Sequence, residues 1–159
     1  MRLVEATLMD LIFIAAHLRP SDREELAATR DVNDYEKLAI DSFQSDYKCI
    51  GYDAKGFPAL AFGAKALHPG VVGLWGFGTP SYRDSARSVT RHIRDDMIPA
   101  LLKMGVHRGQ CLVHPNNRAS QKWLTALGFK PEATLSGFGS RREDMLLYAW
   151  VDDATPARH

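Results

Sequence analysis

The stretch that decides the fold is His114–Phe129, HPNNRASQKWLTALGF. It follows a short apolar run, Cys111-Leu112-Val113, that reads as a buried strand. The chain then turns at His-Pro-Asn-Asn. Asn117 is placed to cap a helix, its side-chain oxygen accepting from the free N–H groups of the first turn. Ser120, Trp123, Leu124 and Leu127 recur at helical spacing, and Gly128 falls where helices stop, at C′. Phe129 opens another strand.

Downstream, strands are predicted over 129–135 and 145–151, joined by a Gly- and Arg-rich loop at 136–144, with 152–159 as a flexible tail. Upstream, a long helix is predicted from Thr79-Pro80 to Met104. Ala86, Val89, Ile93, Met97, Leu101 and Met104 share one of its faces, and Pro99 should kink it near Met97-Ile98. Three strands precede it, over 47–54, 57–66 and 71–78. Lys55-Gly56 and His68-Pro69-Gly70 are their turns, and Gly73, Gly76 and Gly78 lie in the third, where glycine marks a bulge or a close approach. The N-terminal part reads as a strand over 2–7 and a buried helix over 8–18 that Pro20 breaks. A Ser21/Glu24 capping box then opens a helix to about Thr29, with Asp22, Arg23, Glu24 and Glu25 giving it a solvated face. Another helix is predicted over 33–43. Helices alternating with strands in the second half imply parallel pairing there.

A chain of 159 residues suits one domain, here over 1–151. A net charge of +1 gives no reason to expect nucleic acid or an anionic membrane as partner. The longest apolar run, Leu11–Ala16, is too short to span a bilayer, and the first residues lack the apolar core of a signal peptide, so a cytoplasmic protein is expected. Cys49 and Cys111 sit in predicted strands as core residues and form neither a disulfide framework nor a metal-ligand spacing.

A strand, an Asn-headed helix and a Leu-Gly-Phe exit resemble the second half of the GNAT N-acetyltransferase fold, where the pattern is N-x-x-A, a Tyr, then L-G-F. Asn117, Ser120 and Leu127-Gly128-Phe129 fit that register, and Leu124 stands at the Tyr position. The resemblance covers essentially the whole chain. It implies an α/β fold with one mixed sheet of about seven strands flanked by about four helices, two strands splaying to form an acyl-CoA cleft. It also implies acetyl-CoA or another acyl-CoA as cofactor.

In that family the turn after the Gly-bearing strand reads P-x-Y-R-G-x-G-x-G, and its N–H groups with the following helix start hold a pyrophosphate. Here Pro80-Ser81-Tyr82-Arg83 begins well, but Ala86 and Ser88 replace two glycines and Asp84 adds a negative charge. The resemblance implies cofactor contacts from Gly76, Phe77, Gly78, Thr79, Arg83, Ser85, Ala86, Arg87, Ser88 and Asn117. The same loop also suits an ordinary solvated helix start.

Acyl transfer needs a base for the amine, donors for the oxyanion and an acid for the thiolate. With Leu124 the usual acid is missing, and the strand 71–78 carries no Glu. His114, at the expected cleft mouth, and Tyr82 are the candidate catalytic residues, although His114 also suits a turn before Pro115. Tyr148, Trp75 and Trp123 read as packing residues and His92 as a surface group. Two functions stay open. One is transfer of an acyl group to an amine of a small molecule or protein. The other is a catalytically degenerate GNAT-like module that binds a host enzyme or a virion component, because Phe13–Leu26 and the Trp-Leu before Leu-Gly-Phe resemble bacteriophage-encoded GNAT-like proteins. The host cytoplasm would then be its location.

Overall fold

The computed structural model describes residues 3–153. Arg2, placed in the first predicted strand, and residues 154–159 of the predicted tail lie outside them. Asp152 is tied down, its N–H donating to His107 O at 2.8 Å.

The first half alternates in register with a sheet buried on both faces. β1 (Leu3–Glu5), β2 (Tyr47–Tyr52), β3 (Pro58–His68) and β4 (Val71–Gly78) pair antiparallel in sequence order. Ile50, Ala61 and Phe77 point to one face, where α1 (Leu8–Ala16) and α3 (Tyr35–Phe43) supply Leu11, Ile14, Leu38 and Ala39. Phe62, Ala64 and Val72 point to the other, against Val89, Ile93, Met97 and Leu101. Side chains two residues apart share a face, so each strand feeds both cores.

The long helix is two, α4 (Arg83–His92) and α5 (Ile98–Lys103), joined by a π turn at Ile93–Met97. Pro99 has no N–H to give and its ring crowds the carbonyl four residues back. The widened Ile98 N–H to Ile93 O bond just before it absorbs that conflict.

β5 (Arg108–Val113), β6 (Lys130–Leu135) and β7 (Met145–Val151) complete a seven-stranded sheet of order β1-β2-β3-β4-β5-β7-β6. The parallel pairing expected throughout this half holds only for β4 with β5. β7 inserts antiparallel between β5 and β6, because α6 (Arg118–Ala126) carries the chain past one vacant lane. Asn117 caps α6 through its Oδ1, which accepts Ser120 N–H at 3.3 Å, and Gly128 exits with φ +93°.

α2 (Pro20–Ala27) departs furthest from the sequence expectation. Pro20 opens this helix at its first position instead of only ending α1, and Arg19 is the cap residue. Proline suits that position because its missing N–H is unpaired there in any case. Ser21 is thus inside the helix and no capping box forms. Asp22, expected on a solvated face, is 5% exposed.

Candidate active site

β4 and β5 pair over only three residues, Val71–Arg108, Val72–Gly109 and Gly73–Gln110. Beyond that β4 stays with β3 up to Gly78 and β5 stays with β7 up to Val113, so each arm follows its other neighbour and the two splay apart. Thr79 donates its N–H to Ala59 O, toward β3, at 2.9 Å. Backbone direction alternates along a strand, so Trp75 and Phe77 also turn their N–H groups to β3, and Gly76 and Gly78 turn theirs into the gap. Gly76 is exposed there.

Gly78 is taken. Its N–H donates to Asp22 Oδ2 and its carbonyl accepts Arg19 N–H, both at 2.8 Å. Only glycine fits, since a Cβ would lie 2.9 Å from Ala59 O and from Tyr82 Cβ. Arg19 Nε forms an ion pair with Asp22 Oδ2 at 2.7 Å, and its guanidinium lies 4.2 Å from the centre of the Tyr82 ring.

One turn further along the same face of α2, Glu25 meets the other arm. Its carboxylate accepts the side-chain N–H of Asn117 and the backbone N–H of His114. Glu24 accepts Asn116 Nδ2 at 3.0 Å and lies 3.5 Å from His114 Nε2. The loop between β6 and β7 braces α2 from behind, Ser140 N–H donating to Ala28 O at 2.8 Å. α2 therefore straddles the splay, Asp22 on the β4 arm and Glu25 on the β5 arm. Burial pushes the Glu25 carboxyl up to about 7; the Asn117 hydrogen bond opposes this shift and the Asp22 charge adds to it. Burial, with a contribution from Glu25, pushes the Cys111 thiol up to about 12.

The predicted site residues separate into groups. Gly76, Gly78, Tyr82, His114 and Asn117 gather round the splay. Thr79 is buried beside it, its hydroxyl accepting Ser81 N–H at 3.2 Å. His114 also makes its turn, Nδ1 accepting Asn116 N–H at 3.1 Å. Arg83 and Arg87 are exposed at the start of α4, with Ala86 and Ser88 half-buried between its faces. Ser85 is turned away from the surface. It is fully buried against β2, where a Cβ on Gly51 would come 2.7 Å from the Ser85 Cβ, and its hydroxyl donates to Tyr82 O at 3.2 Å. Phe77 sends its side chain into the α1–α3 core. The N–H groups of Tyr82, Asp84 and Ser85 already donate to Thr79 O, Ser81 O and Tyr82 O, and Asp84 Oδ2 accepts Ala54 N–H at 3.0 Å.

His92 is not a free surface group: its Nε2 lies 2.5 Å from the Tyr47 hydroxyl and its Nδ1 3.2 Å from Asp96. Leu124 is packed among Val113, Phe129 and Tyr148. Leu124→Tyr is therefore expected to overpack that cluster and cost about 1–3 kcal/mol, read as a lower thermal midpoint.

Arg19, Asp22 and Glu25 escape a reading of sequence alone. The available signal is a helix with no apolar stripe that nevertheless places two acids three residues apart.

No family model matches the chain, and no curated protein matches it by sequence. Solved structures do match it over nearly their whole lengths. A GNAT superfamily phosphinothricin acetyltransferase from Sinorhizobium meliloti, solved in complex with AcCoA, is 15% identical with a TM-score of 0.70, over 99% of this chain and 91% of that one. Ard1 from Thermoplasma volcanium is 12% identical with a TM-score of 0.73, over 96% and 98%. This is the GNAT fold. A spermidine N-acetyltransferase from Vibrio cholerae shares it at 13% identity and a TM-score of 0.67, over 95% of each chain. At these identities the likeness to GNAT acetyltransferases is one of fold.

Proposed function

We propose that the chain is an acyl-CoA-dependent N-acyltransferase that moves an acetyl or other acyl group to an amine of a small molecule or protein. The observation that carries this reading is the Gly76 N–H facing the splay, with the part-buried Glu25 carboxylate on the gap's other arm. Bound acyl-CoA would supply an activated thioester. The exposed Gly76 edge, Arg83 and Arg87 are the residues placed to meet it. Gly78 is held by Arg19 and Asp22, and Asn117 is buried with its amide engaged by Ser120 N–H and Glu25. Ser85 fits only as a helix-start support, since its side chain is buried. A preorganised backbone N–H stabilises a developing oxyanion, and Gly76 is placed for that role. The neighbours named for phosphinothricin and for spermidine differ in acceptor, so an amine is the shared element and the particular acceptor is left open.

No helix among the described residues is long and apolar enough to cross a membrane. Action in the cytoplasm, of a host cell if the chain is phage-encoded, is consistent with this reading.

A second reading, a binding module for a host enzyme or virion component, is favoured by one observation: Arg19 and Asp22 occupy both polar groups of Gly78. The stretch that carries the resemblance to phage proteins, Phe13–Leu26, contains both residues.

Acyl-CoA binding separates the two. A ligand at a hundred times its dissociation constant adds about 2.7 kcal/mol, and the thermal midpoint is expected to rise by several degrees with acetyl-CoA or a longer acyl-CoA. No rise at millimolar concentration sinks the transferase and leaves the binding module. Arg83→Ala is expected to weaken acyl-CoA roughly tenfold, the loss of one charged hydrogen bond, with the midpoint of the free protein unchanged.

A further inference from the structure

We propose that Glu25 is the proton acceptor for the amine that enters the splay between β4 and β5, an inference that rests on the acyltransfer reading above. The ground is position. Glu25 is held just past the tip of the β5 arm by Asn117 and by the His114 backbone N–H, while Asp22, one helical turn before it, holds the tip of the β4 arm. The two contacts put α2 across the mouth of the gap, with Glu25 on the arm facing the free Gly76 edge. β4 itself carries no acid, so the residue that receives the proton comes from elsewhere, and α2 is the element that reaches both arms.

His114 is the rival from the sequence. It is engaged on both sides, by Asn116 N–H at Nδ1 and by Glu24 near Nε2, so its role is to fix the turn and to orient the Glu24 side of α2. Glu25 differs because its two partners are both donors. They hold the carboxylate in place without supplying a full positive charge. The other charged and titratable groups around it are Asp22 and Arg19 on its own segment and Cys111 on β5. A carboxyl that titrates near neutrality is matched to taking a proton from an amine at physiological pH.

The balance of the step is simple. The acceptor enters as an ammonium and gives one proton to the Glu25 carboxylate. Its nitrogen then forms a C–N bond to the acyl carbon as the carbon–sulfur bond breaks. The second N–H proton ends on the departing sulfur, and Glu25 returns its own proton to water.

The same carboxyl leaves a mark on the free protein. Its folded value of about 7 lies above the ordinary 4.5, so the fold holds a proton that the unfolded chain has released. Stability from this group is full below about 4.5 and is lost as pH rises toward 7.

The test uses the full chain and two variants, Glu25→Gln and Glu25→Asp, with acetyl-CoA and a panel of primary amines. Three results are expected of Glu25→Gln. Its thermal midpoint loses the parent's fall between pH 4.5 and 7, its acetyl-CoA affinity stays within about twofold, and its turnover drops about a hundredfold or more. The rise of the parent's rate with a midpoint near pH 7 also disappears. Glu25→Asp keeps a carboxylate on a shorter stem and is expected to keep that midpoint at a lower rate. If Glu25→Gln does not fold, Glu25→Asp decides: a retained midpoint supports the assignment and a lost one overturns it. A Glu25→Gln protein that matches the parent in rate and pH profile overturns Glu25 and leaves the transferase standing. A parent that binds no acetyl-CoA fails at the binding measurement, before turnover is read, and overturns both.

Discussion

Asp22→Ala is expected to lower the stability of the folded chain by about 3–5 kcal/mol, the usual loss when one partner of a buried ion pair is removed. Asp22 is among the most buried charged groups of the fold, and it does two jobs. It neutralises Arg19 at 2.7 Å and it accepts the Gly78 N–H at 2.8 Å. Alanine leaves the guanidinium with the Tyr82 ring, a long 3.5 Å hydrogen bond to Ser120 Oγ and the more distant Glu25 charge, and leaves a buried N–H without an acceptor. Each of these is costly in a low-dielectric setting. For a domain of this size the thermal midpoint should fall by about 10 °C or more. Asp22→Asn keeps an acceptor for Gly78 and loses only the charge, so about half the effect is expected. A loss below about 1 kcal/mol for alanine, measured by urea or thermal unfolding, would mean that α2 is held by its other contacts, with the His114–Asn117 turn and the loop between β6 and β7. The same variant frees the Gly78 edge. Where it remains folded, it should bind acyl-CoA no more weakly than the parent, because any ligand laid along that edge competes with Asp22 and Arg19.

What the sequence revealed is what is local. The Asn117 cap, the Gly128 exit and the alternation of β2 to β4 depend on neighbours within a few residues, and all were legible. The splay was legible only through family resemblance, because it depends on where the β4–β5 ladder stops, and no residue pattern marks that point. α2 was misread for a different reason. Ser21 and Glu24 have the spacing of a capping box, but Pro20 competes for the helix start and wins, which shifts every face of a two-turn helix. Asp22 and Glu25 then fall inward, and although Arg19 is a near neighbour, the Gly78 and Asn117 amides that compensate them come from distant parts of the chain. Ser85 shows the same limit at the loop. Its small side chain suits a phosphate contact by position, yet the first turn of α4 rotates it onto Gly51, a neighbour thirty-four residues away. His92 read as solvated because Tyr47, its partner, lies on β2, forty-five residues before it in the chain.

Phe77→Ala is expected to cost about 3–5 kcal/mol, the range for removing a buried phenyl ring, and to do so through the core. The resemblance to acetyltransferases implied a cofactor contact at this residue. The side chain is 2% exposed among Leu11, Ile14, Leu38, Ile50 and Ala61, and its ring stacks on Trp75 with centroids 5.4 Å apart. Its backbone pairs with Ala61 on β3, so neither half of the residue faces the gap. Along β4 the labour is divided by strand geometry: Trp75 and Phe77 fasten the strand to the α1–α3 side, Gly76 presents its free edge to the splay, and Gly78 gives its edge to Asp22 and Arg19. Phe77→Leu separates packing from contact. It keeps most of the apolar volume and should cost about 1 kcal/mol, with acyl-CoA affinity unchanged within about twofold by calorimetry. A tenfold weakening in that mild variant, with the thermal midpoint nearly that of the parent, would place Phe77 in the binding surface after all. It would also mean that β4 reaches the ligand through a face the fold has turned to the core.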